Sequence, residues 1–411
     1  MTATALQQEE HLPEAIVCKW CGKSFHYLKS HISMGRCENI PESAKGLDVD
    51  EVVKMYTSAF PDEPTISRTA LAKLNEKRAE KHSGEGKVAE ISAHPGYAGT
   101  VEYKTELVAA HELLGVTIKE LGTPRGKPLQ VTVNVNTPYP EFVPEAKKNY
   151  VYGDFDLIKD IFMMLEIGIP GYLWGHAGTG KSSLPTQLCA LLNRPLIRAQ
   201  HTASMEEAHV TGQILARDGS TYFEPGLLAL AMKNGWVYLA DEYDFAFPQI
   251  LGVYQPVLEG EPLIIKEATP DWRRITPHKR FAFIGTGNTN GSGDETGLYQ
   301  GTNIQNAANF SHFGIVSNVK YMSTKAEVNM LAEAGVIREY AEKMVKFANL
   351  VREGYEQHLI SQPIGPRELL LSAKIGMMRG DFSAGIEKSF INKLPSTSAQ
   401  AAREVVQKIF G

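Results

Sequence analysis

The sequence predicts an α/β fold: a parallel sheet covered by helices, followed by an all-helical subdomain and preceded by a small cysteine/histidine unit. Three observations predict it. Short apolar strands and amphipathic helices alternate from about residue 154 to 321, a pattern that yields a parallel sheet with both faces covered. A glycine-rich run, GHAGTGKS at 175–182, lies between one such strand and one such helix. From residue 325 onward the apolar spacing is helical only.

The chain has 411 residues, which calls for two or three structural units. A 43% hydrophobic, 22% charged composition is that of a globular protein. The formal net charge of -5 argues against a nucleic-acid binder with a uniformly basic surface, though a local basic patch stays open. The N-terminus lacks a basic start followed by an apolar run, so no signal peptide is expected. The apolar stretch 161–174 is broken by Glu166, Gly168, Pro170 and Gly171, and no segment reaches the ~18 apolar residues of a membrane helix. The expected location is cytoplasmic, with no membrane contact.

The elements divide the chain as follows. Residues 1–40 form the cysteine/histidine unit. Residues 41–95 are rich in Lys, Glu, Asp, Ser, Pro and Gly and read as a partly disordered linker with one short helix over 68–81. Residues 96–150 are a lead-in segment. Within it Leu129, Val131, Val133 and Val135 alternate with Gln130, Thr132 and Asn134, the period of a half-buried strand. The aromatic, proline-rich stretch 139–152 is expected to run toward the adenine side of a nucleotide pocket. Residues 151–323 form the α/β core, with helices over 154–166, 181–192 and 226–233. Its strands are expected over 172–174, 196–199, 236–240, 281–286 and 315–321. Residues 324–411 form the helical subdomain, with helical spacing over 326–331, 339–352 and 367–378.

Gly175, His176, Ala177, Gly178, Thr179, Gly180, Lys181 and Ser182 fit G-x-x-x-x-G-K-[ST] in full. The glycines let backbone N–H groups turn inward around phosphates, and the following helix offers them its positive end. Lys181 would reach the β- and γ-phosphates of ATP, and the Ser182 hydroxyl would hold Mg²⁺. Ser183 follows in the same nucleotide-binding turn. Pro185 falls early enough in the helix to be tolerated. About sixty residues on, the apolar strand 236–240 ends in Asp241-Glu242. Asp241 would bind Mg²⁺, and Glu242 would polarise the attacking water. Asn288 ends the next strand, where it can orient that water beside the γ-phosphate. Arg367, in an Ile-Gly-Pro-Arg-Glu run, opens a helix of the C-terminal subdomain and can fold over the nucleotide.

These features, in this order, resemble the AAA+ ATPases, within them the MoxR branch, and most closely the CobS-type cobaltochelatase ATPase subunits. The run Asp241-Glu242-Tyr243-Asp244 and the long run 293–302 (GDETGLYQGT) carry the resemblance most specifically. It covers roughly residues 140–380 and implies a P-loop AAA+ core with a helical lid. It also implies a hexameric ring with ATP at subunit boundaries, and a protein partner, generally one with a von Willebrand A domain, that is remodelled or loaded with metal. A chelatase motor inserting Co²⁺ or Mg²⁺ into a tetrapyrrole is the narrower alternative. By the same resemblance, 209–223 is a helix-2 insert hairpin and 259–277 a pre-sensor hairpin. There is one departure. Relatives carry an Asp-Arg-aromatic triplet whose arginine reaches the neighbour's ATP, whereas this chain reads Ser311-His312-Phe313. Arg273, Arg274 or Arg280 are the alternative sources of that charge.

Cys18, Cys21 and Cys37 cluster near the N-terminus with His31. Three thiolates and an imidazole suit tetrahedral Zn²⁺. His26 is the alternative fourth ligand. Phe25 and Leu28 lie between the ligands, as the few core residues of a C2HC zinc finger would. Lys19, Lys23, Lys29 and Arg36 give the finger a basic side, suited equally to nucleic acid or to an acidic protein surface. A zinc-finger adaptor with a slow ATP switch is therefore a third reading of the chain.

Overall fold

The computed structural model describes residues 13–33, 36–45, 48–61, 63–70, 101–217 and 219–411. Two compact units divide the chain, Met1–His94 and Pro95–Gly411.

In the first unit, strands β1 (Ile16–Val17) and β2 (Ser24–Phe25) pair antiparallel and lead into helix α1 (Leu28–Ser33). These elements are too small to bury Phe25 and Leu28 by themselves. A second helix, α2 (Val49–Ala59), completes the core with Val52 and Tyr56. It starts at a capping box in which the Asp48 and Glu51 side chains satisfy the first backbone N–H groups. Tyr56 is fully buried, meets Trp20 edge-on at 4.9 Å, and its hydroxyl accepts the Lys19 N–H at 3.0 Å. Residues 42–45 and 48–59 thus belong to the folded unit, where composition alone assigns the beginning of a linker. The polar face of α2 supplied that composition while its apolar stripe was sparse. The helix expected over 68–81 lies, beyond residue 70, outside the described residues.

The second unit begins with a hairpin of β3 (Thr105–Ala109) and β4 (Gln130–Asn134), with α3 (Ala110–Leu114) directly after β3. Val131 on β4 is buried in the core, and the Asn134 N–H donates to the Leu192 carbonyl at 3.0 Å. Tyr139 packs edge-on against Trp236 at 5.0 Å. The first part of the aromatic stretch therefore lies at the start of the strand that follows Trp236. Only its end reaches the phosphate loop, where the Tyr150 hydroxyl pairs with Ser183 Oγ at 3.2 Å.

Helix α4 (Phe155–Ile167) is capped by Asp154 and ends at Gly168, whose φ of +74° only glycine adopts cheaply. Then come β5 (Gly171–Trp174), α5 (Ser183–Leu191), β6 (Leu196–Gln200) and α6 (Glu207–Thr211). The hairpin β7 (Gly212–Arg217) and β8 (Ser220–Pro225) precedes α7 (Leu227–Asn234) and β9 (Val237–Asp241). A second hairpin, β10 (Leu263–Ile264) with β11 (Arg274–Ile275), leads to β12 (Ala282–Gly287), and β13 (Ile315–Asn318) closes the series. The five central strands are all parallel, in the order β13-β5-β12-β9-β6. Chain order never makes β5 and β9 neighbours. Instead β12 inserts between them, with Gly287 beside Trp174 and Gly285 beside Ala240. Apolar clusters cover both faces, one built on Leu173, Leu239 and Ile284, the other on Tyr172, Tyr238 and Phe283.

The C-terminal subdomain comprises α8 (Thr324–Glu333), α9 (Arg338–Glu356), α10 (Pro366–Arg379), α11 (Phe382–Ser389) and α12 (Ser396–Phe410) around its own apolar core. Arg352 of α9 forms a bidentate pair with the buried Glu327 of α8 at 2.8 and 2.9 Å. The same guanidinium stacks on Tyr321 at 4.0 Å. Tyr321 in turn lies parallel to His176 of the phosphate loop at 5.8 Å. Among the described residues no helix is long and apolar enough to cross a membrane.

The core role of α2 predicts where the first unit ends. With zinc present, a fragment of residues 1–94 should give a dispersed amide NMR spectrum. A fragment of residues 1–45, deprived of Val52 and Tyr56, should not.

Candidate nucleotide and metal sites

The C-terminal ends of β5, β12 and β9 meet at one edge of the sheet, and the sequence motifs converge there. Lys181 is buried, and its ammonium donates to the carbonyls of Gly175 at 2.8 Å and His176 at 2.9 Å, and to Asn288 Oδ1 at 3.0 Å. Burial pushes its pKa down to about 8, against the pull of Glu242, Asp244 and Asp241. Asn288 Nδ2 donates in turn to Glu242 Oε2 at 2.7 Å. Lysine, asparagine and glutamate thus form one connected row. Glu242 holds a left-handed backbone at φ +54°, which costs a non-glycine residue about 1 kcal/mol or more. That turn aims its carboxylate back toward the loop. Burial raises its pKa above the ordinary carboxylate value.

Asp241 is almost fully buried. Its Oδ1 accepts from the Ser182 hydroxyl and from Thr286 Oγ1 at 2.5 Å. Its Oδ2 accepts from Arg198 Nε at 2.6 Å and from Arg198 Nη2. Burial would raise this carboxyl's pKa, but the Ser182, Thr286 and Arg198 donors outweigh it and hold it below the usual value. Asp244 is also buried; its Oδ2 accepts from the N–H groups of Asn288 at 2.8 Å and Thr289 at 2.9 Å, and from Thr289 Oγ1 at 3.0 Å. This carboxylate fixes the tip of β12 against the acidic turn.

Arg367 starts α10 directly over the phosphate loop. A Cβ added to Gly178 would stand 3.3 Å from the Arg367 Cβ, and one added to Gly365 2.7 Å from the Ala177 carbonyl oxygen. Glycine is needed at both places for the lid to approach this closely. Thr179 Oγ1 caps the loop on the His176 carbonyl at 2.9 Å. Ser183 turns away, its hydroxyl on Gly180 O at 3.3 Å and beside Tyr150. Pro185 is the third residue of α5, where its missing N–H has no intrahelical partner to lose.

The Ser311-His312-Phe313 triplet does not point an arginine anywhere. Phe313 is buried against Tyr172 and Tyr243 at 5.3 and 5.5 Å, and His312 Nε2 lies 3.2 Å from Glu259 Oε1. Of the alternative arginines, Arg273 and Arg274 are exposed around β11. Arg280 sits just before β12, at the end of the strand opposite Asn288, half-buried over the Tyr103 ring. That position holds it away from the phosphate loop of its own chain.

In the first unit, Cys18, Cys21, His31 and Cys37 offer ligand atoms all within 4.8 Å of one another. Cys18 Sγ and Cys37 Sγ are 3.8 Å apart, and Cys21 Sγ and His31 Nε2 3.3 Å. With metal–sulfur arms of about 2.3 Å, the sulfur–sulfur edge of a zinc tetrahedron is also about 3.8 Å, so the donor set fits that ion. His26 is engaged elsewhere, its Nδ1 at 3.1 Å from both the Glu14 carbonyl and Ser67 Oγ.

Sequence reasoning missed Arg198, Thr286, Asp244 and Tyr299, whose hydroxyl accepts the Ala177 N–H of the phosphate loop at 3.1 Å. Arg198 and Thr286 sit on β6 and β12, the two strands that flank β9, so only the sheet order brings them to Asp241. Asp244 and Tyr299 lay inside the two unusual runs already noted, which was the available signal.

A phosphate loop on a parallel sheet, an acidic strand one place removed from it and a helical lid over it define an AAA-type nucleotide-binding module. The family model described as AAA domain (dynein-related subfamily) matches residues 172–300. The aerobic cobaltochelatase subunit CobS of Sinorhizobium sp is 32% identical over 249 residues, spanning 58% of this chain and 74% of that protein. The chain belongs to the CobS family of AAA proteins. An uncharacterized Staphylococcus aureus protein is 23% identical over 265 residues, 62% of this chain and 96% of its own length. Among solved structures, a RuvB variant from Thermotoga maritima aligns with a TM-score of 0.38 at 12% identity, over 64% of this chain and 73% of that one.

Replacing Asp244 with alanine leaves three donors at the tip of β12 without their acceptor. The expected cost is about 2–4 kcal/mol, read as a lower urea midpoint of the second unit. Asp244→Asn, which keeps one acceptor oxygen, should recover part of it.

Proposed function

We propose that the chain binds Mg²⁺-ATP at Gly175–Ser183, hydrolyses it, and uses the cycle to act on a protein partner. The observation that carries this reading is the row Lys181–Asn288–Glu242 beside Ser182–Asp241, formed from three separate strands. Ser182 and Asp241 would hold Mg²⁺, which neutralises phosphate charge. Lys181 and Arg367 bind and orient the phosphates. Asn288 and Glu242 hold the attacking water, with Glu242 taking its proton. A homohexameric ring with the nucleotide at subunit boundaries is the assembly this reading implies, and a von Willebrand A protein is the proposed partner. Both rest on membership of the CobS family and on resemblance to MoxR-type relatives. The hairpins β7–β8 and β10–β11, which present Ile214 and Ile264 to solvent, are the proposed contact elements.

A second reading, the motor of a metal chelatase, is favoured by the similarity to the cobaltochelatase subunit. The zinc-finger unit stands outside the region that resembles the CobS subunits, which favours a partner-specific role over an ordinary chelatase subunit. For the finger itself, Cys18, Cys21, His31 and Cys37 would hold Zn²⁺. Its lysines are already paired: Lys19 with Glu63 at 2.7 Å, Lys29 with Asp50 at 2.6 Å, and Lys23 with Glu38. That neutralisation supports a protein surface over nucleic acid as its target.

Three outcomes are expected. Lys181→Ala should weaken ATP binding beyond detection in a fluorescent-nucleotide titration. Glu242→Gln should bind ATP as the parent does and lose turnover by about 100-fold or more; undiminished turnover would remove Glu242 from its role. Elemental analysis of the full chain should give one zinc per chain, and none bound tightly in Cys21→Ser.

A further inference from the structure

The run 293–302 remains without a role in the site as described, although it is the most unusual stretch of the core. The segment that contains it leaves β12 just after Asn288 and returns to the nucleotide edge at two places, Tyr299 within the run and Asn303 just past its end. At one, the Tyr299 hydroxyl accepts the Ala177 N–H of the phosphate loop at 3.1 Å and pairs with His176 Nδ1 at 2.9 Å. At the other, the Asn303 N–H donates to the Asp244 carbonyl at 2.7 Å, and its Nδ2 to the carbonyls of Phe245 at 3.1 Å and Ala246 at 3.3 Å. Those carbonyls belong to the turn that opens with Glu242.

The chain is braced both on its approach to the first anchor and between the two. Asp294 gathers the N–H groups of Thr296 at 2.9 Å, Gly297 at 3.0 Å and Tyr299 at 2.7 Å, together with the Thr296 hydroxyl at 2.8 Å. Thr302 folds back on Tyr299, its N–H at 3.1 Å and its hydroxyl at 2.9 Å from the Tyr299 carbonyl. Gly297 at φ +75° bends the chain ahead of Tyr299, and Gly301 at φ +97° bends it between the two anchors. Three residues separate the anchors, and one of them, Thr302, is bonded back to Tyr299, so displacement of one anchor is transmitted to the other.

We propose that Tyr299 and Asn303 are positioning residues. Together they form a strut that couples the phosphate loop at Ala177 to the acidic turn, setting where Glu242 and Asn288 stand relative to a phosphate held by the loop. Through this strut, settling of phosphate in the loop moves the general base. The inference rests on the ATPase reading above. A strut that positions groups acts on the chemical step more than on binding, and a misplacement of about 1 Å can cost on the order of 100-fold in rate.

The test uses the full chain, with ATP turnover and fluorescent-ATP dissociation constants measured for the parent, Tyr299→Phe, Asn303→Ala and the double variant. Tyr299→Phe keeps the ring and removes only the hydroxyl. It should lower kcat about tenfold or more while the ATP dissociation constant stays within about threefold. Asn303→Ala should do the same from the far anchor, and the double variant should be no slower than the slower single one. Unchanged kcat in Tyr299→Phe would overturn the strut, as would losses that multiply in the double variant. So would a weaker ATP affinity with kcat intact. If Asn303→Ala does not fold, the split between kcat and affinity in Tyr299→Phe decides alone. A parent chain without any turnover that Lys181→Ala abolishes would overturn the ATPase reading and the strut with it. Turnover in the parent matched by Tyr299→Phe overturns the strut only.

Discussion

β12 lies between β5 and β9, and the active edge depends on that insertion. Parallel pairing aligns the C-terminal ends of all three strands. The phosphate loop leaves the first, Asn288 the second and Asp241-Glu242 the third. If β5 and β9 were direct neighbours, Asn288 would have no place between Lys181 and Glu242, and Thr286 could not reach Asp241. Parallel strands require long crossovers on the faces. Those crossovers are the helices and hairpins that cover the sheet, so the same constraint fixes the core and the exposed hairpins.

Placing so many ionisable groups at one edge is expensive. Lys181, Asp241 and Asp244 are buried and Glu242 is partly so. Much of the cost is offset by pairing: Lys181 has three acceptors, Asp241 four donor contacts and Asp244 three on Oδ2, although its Oδ1 is buried without a partner. Each charged group is thereby held in one position, which a pre-organised catalytic edge requires. The opposite end of the sheet uses a buried cation differently. Arg194 donates to the Leu165 carbonyl at 2.7 Å and to the Arg280 carbonyl. There it ties α4 and the start of β12 together without facing any ligand.

Much of this was legible in the sequence because local rules carried it. The strand, phosphate loop and helix sequence, the apolar strand ending in Asp-Glu and the helical C-terminal region each have a short-range pattern. The four metal-type ligands were legible because their spacing is constrained by one small unit. What could not be read depends on sheet order. Arg198 belongs to β6 and Thr286 to β12, and nothing in the chain places either on the Asp241 carboxylate until β9 is known to lie between them. The left-handed Glu242 was equally hidden, because side-chain type gives no hint of a positive φ outside glycine, asparagine and aspartate. Helix α2 escaped for another reason: only Val52 and Tyr56 among its eleven residues are buried, too few for an apolar stripe to stand out in a charged segment.

The Ser311-His312-Phe313 triplet bears on where positive charge comes from during phosphoryl transfer. Phe313 is locked into the aromatic cluster with Tyr172 and Tyr243, so the backbone there is as well fixed as an arginine-bearing version would be. The charge, however, is reduced to a histidine beside Glu259. The chain's own cations are better placed. Lys181 lies in the loop, Arg367 stands over Gly178, and Arg198 reaches the Asp241 carboxylate from the open edge of the sheet, its side chain 57% exposed. An arginine acting within its own chain is an established alternative to one supplied by a neighbour, and it carries slower turnover than the best neighbour-assisted systems. On the ATPase reading proposed above, the nucleotide edge would draw its positive charge largely from its own chain, and a neighbouring subunit in a ring would have correspondingly less to contribute.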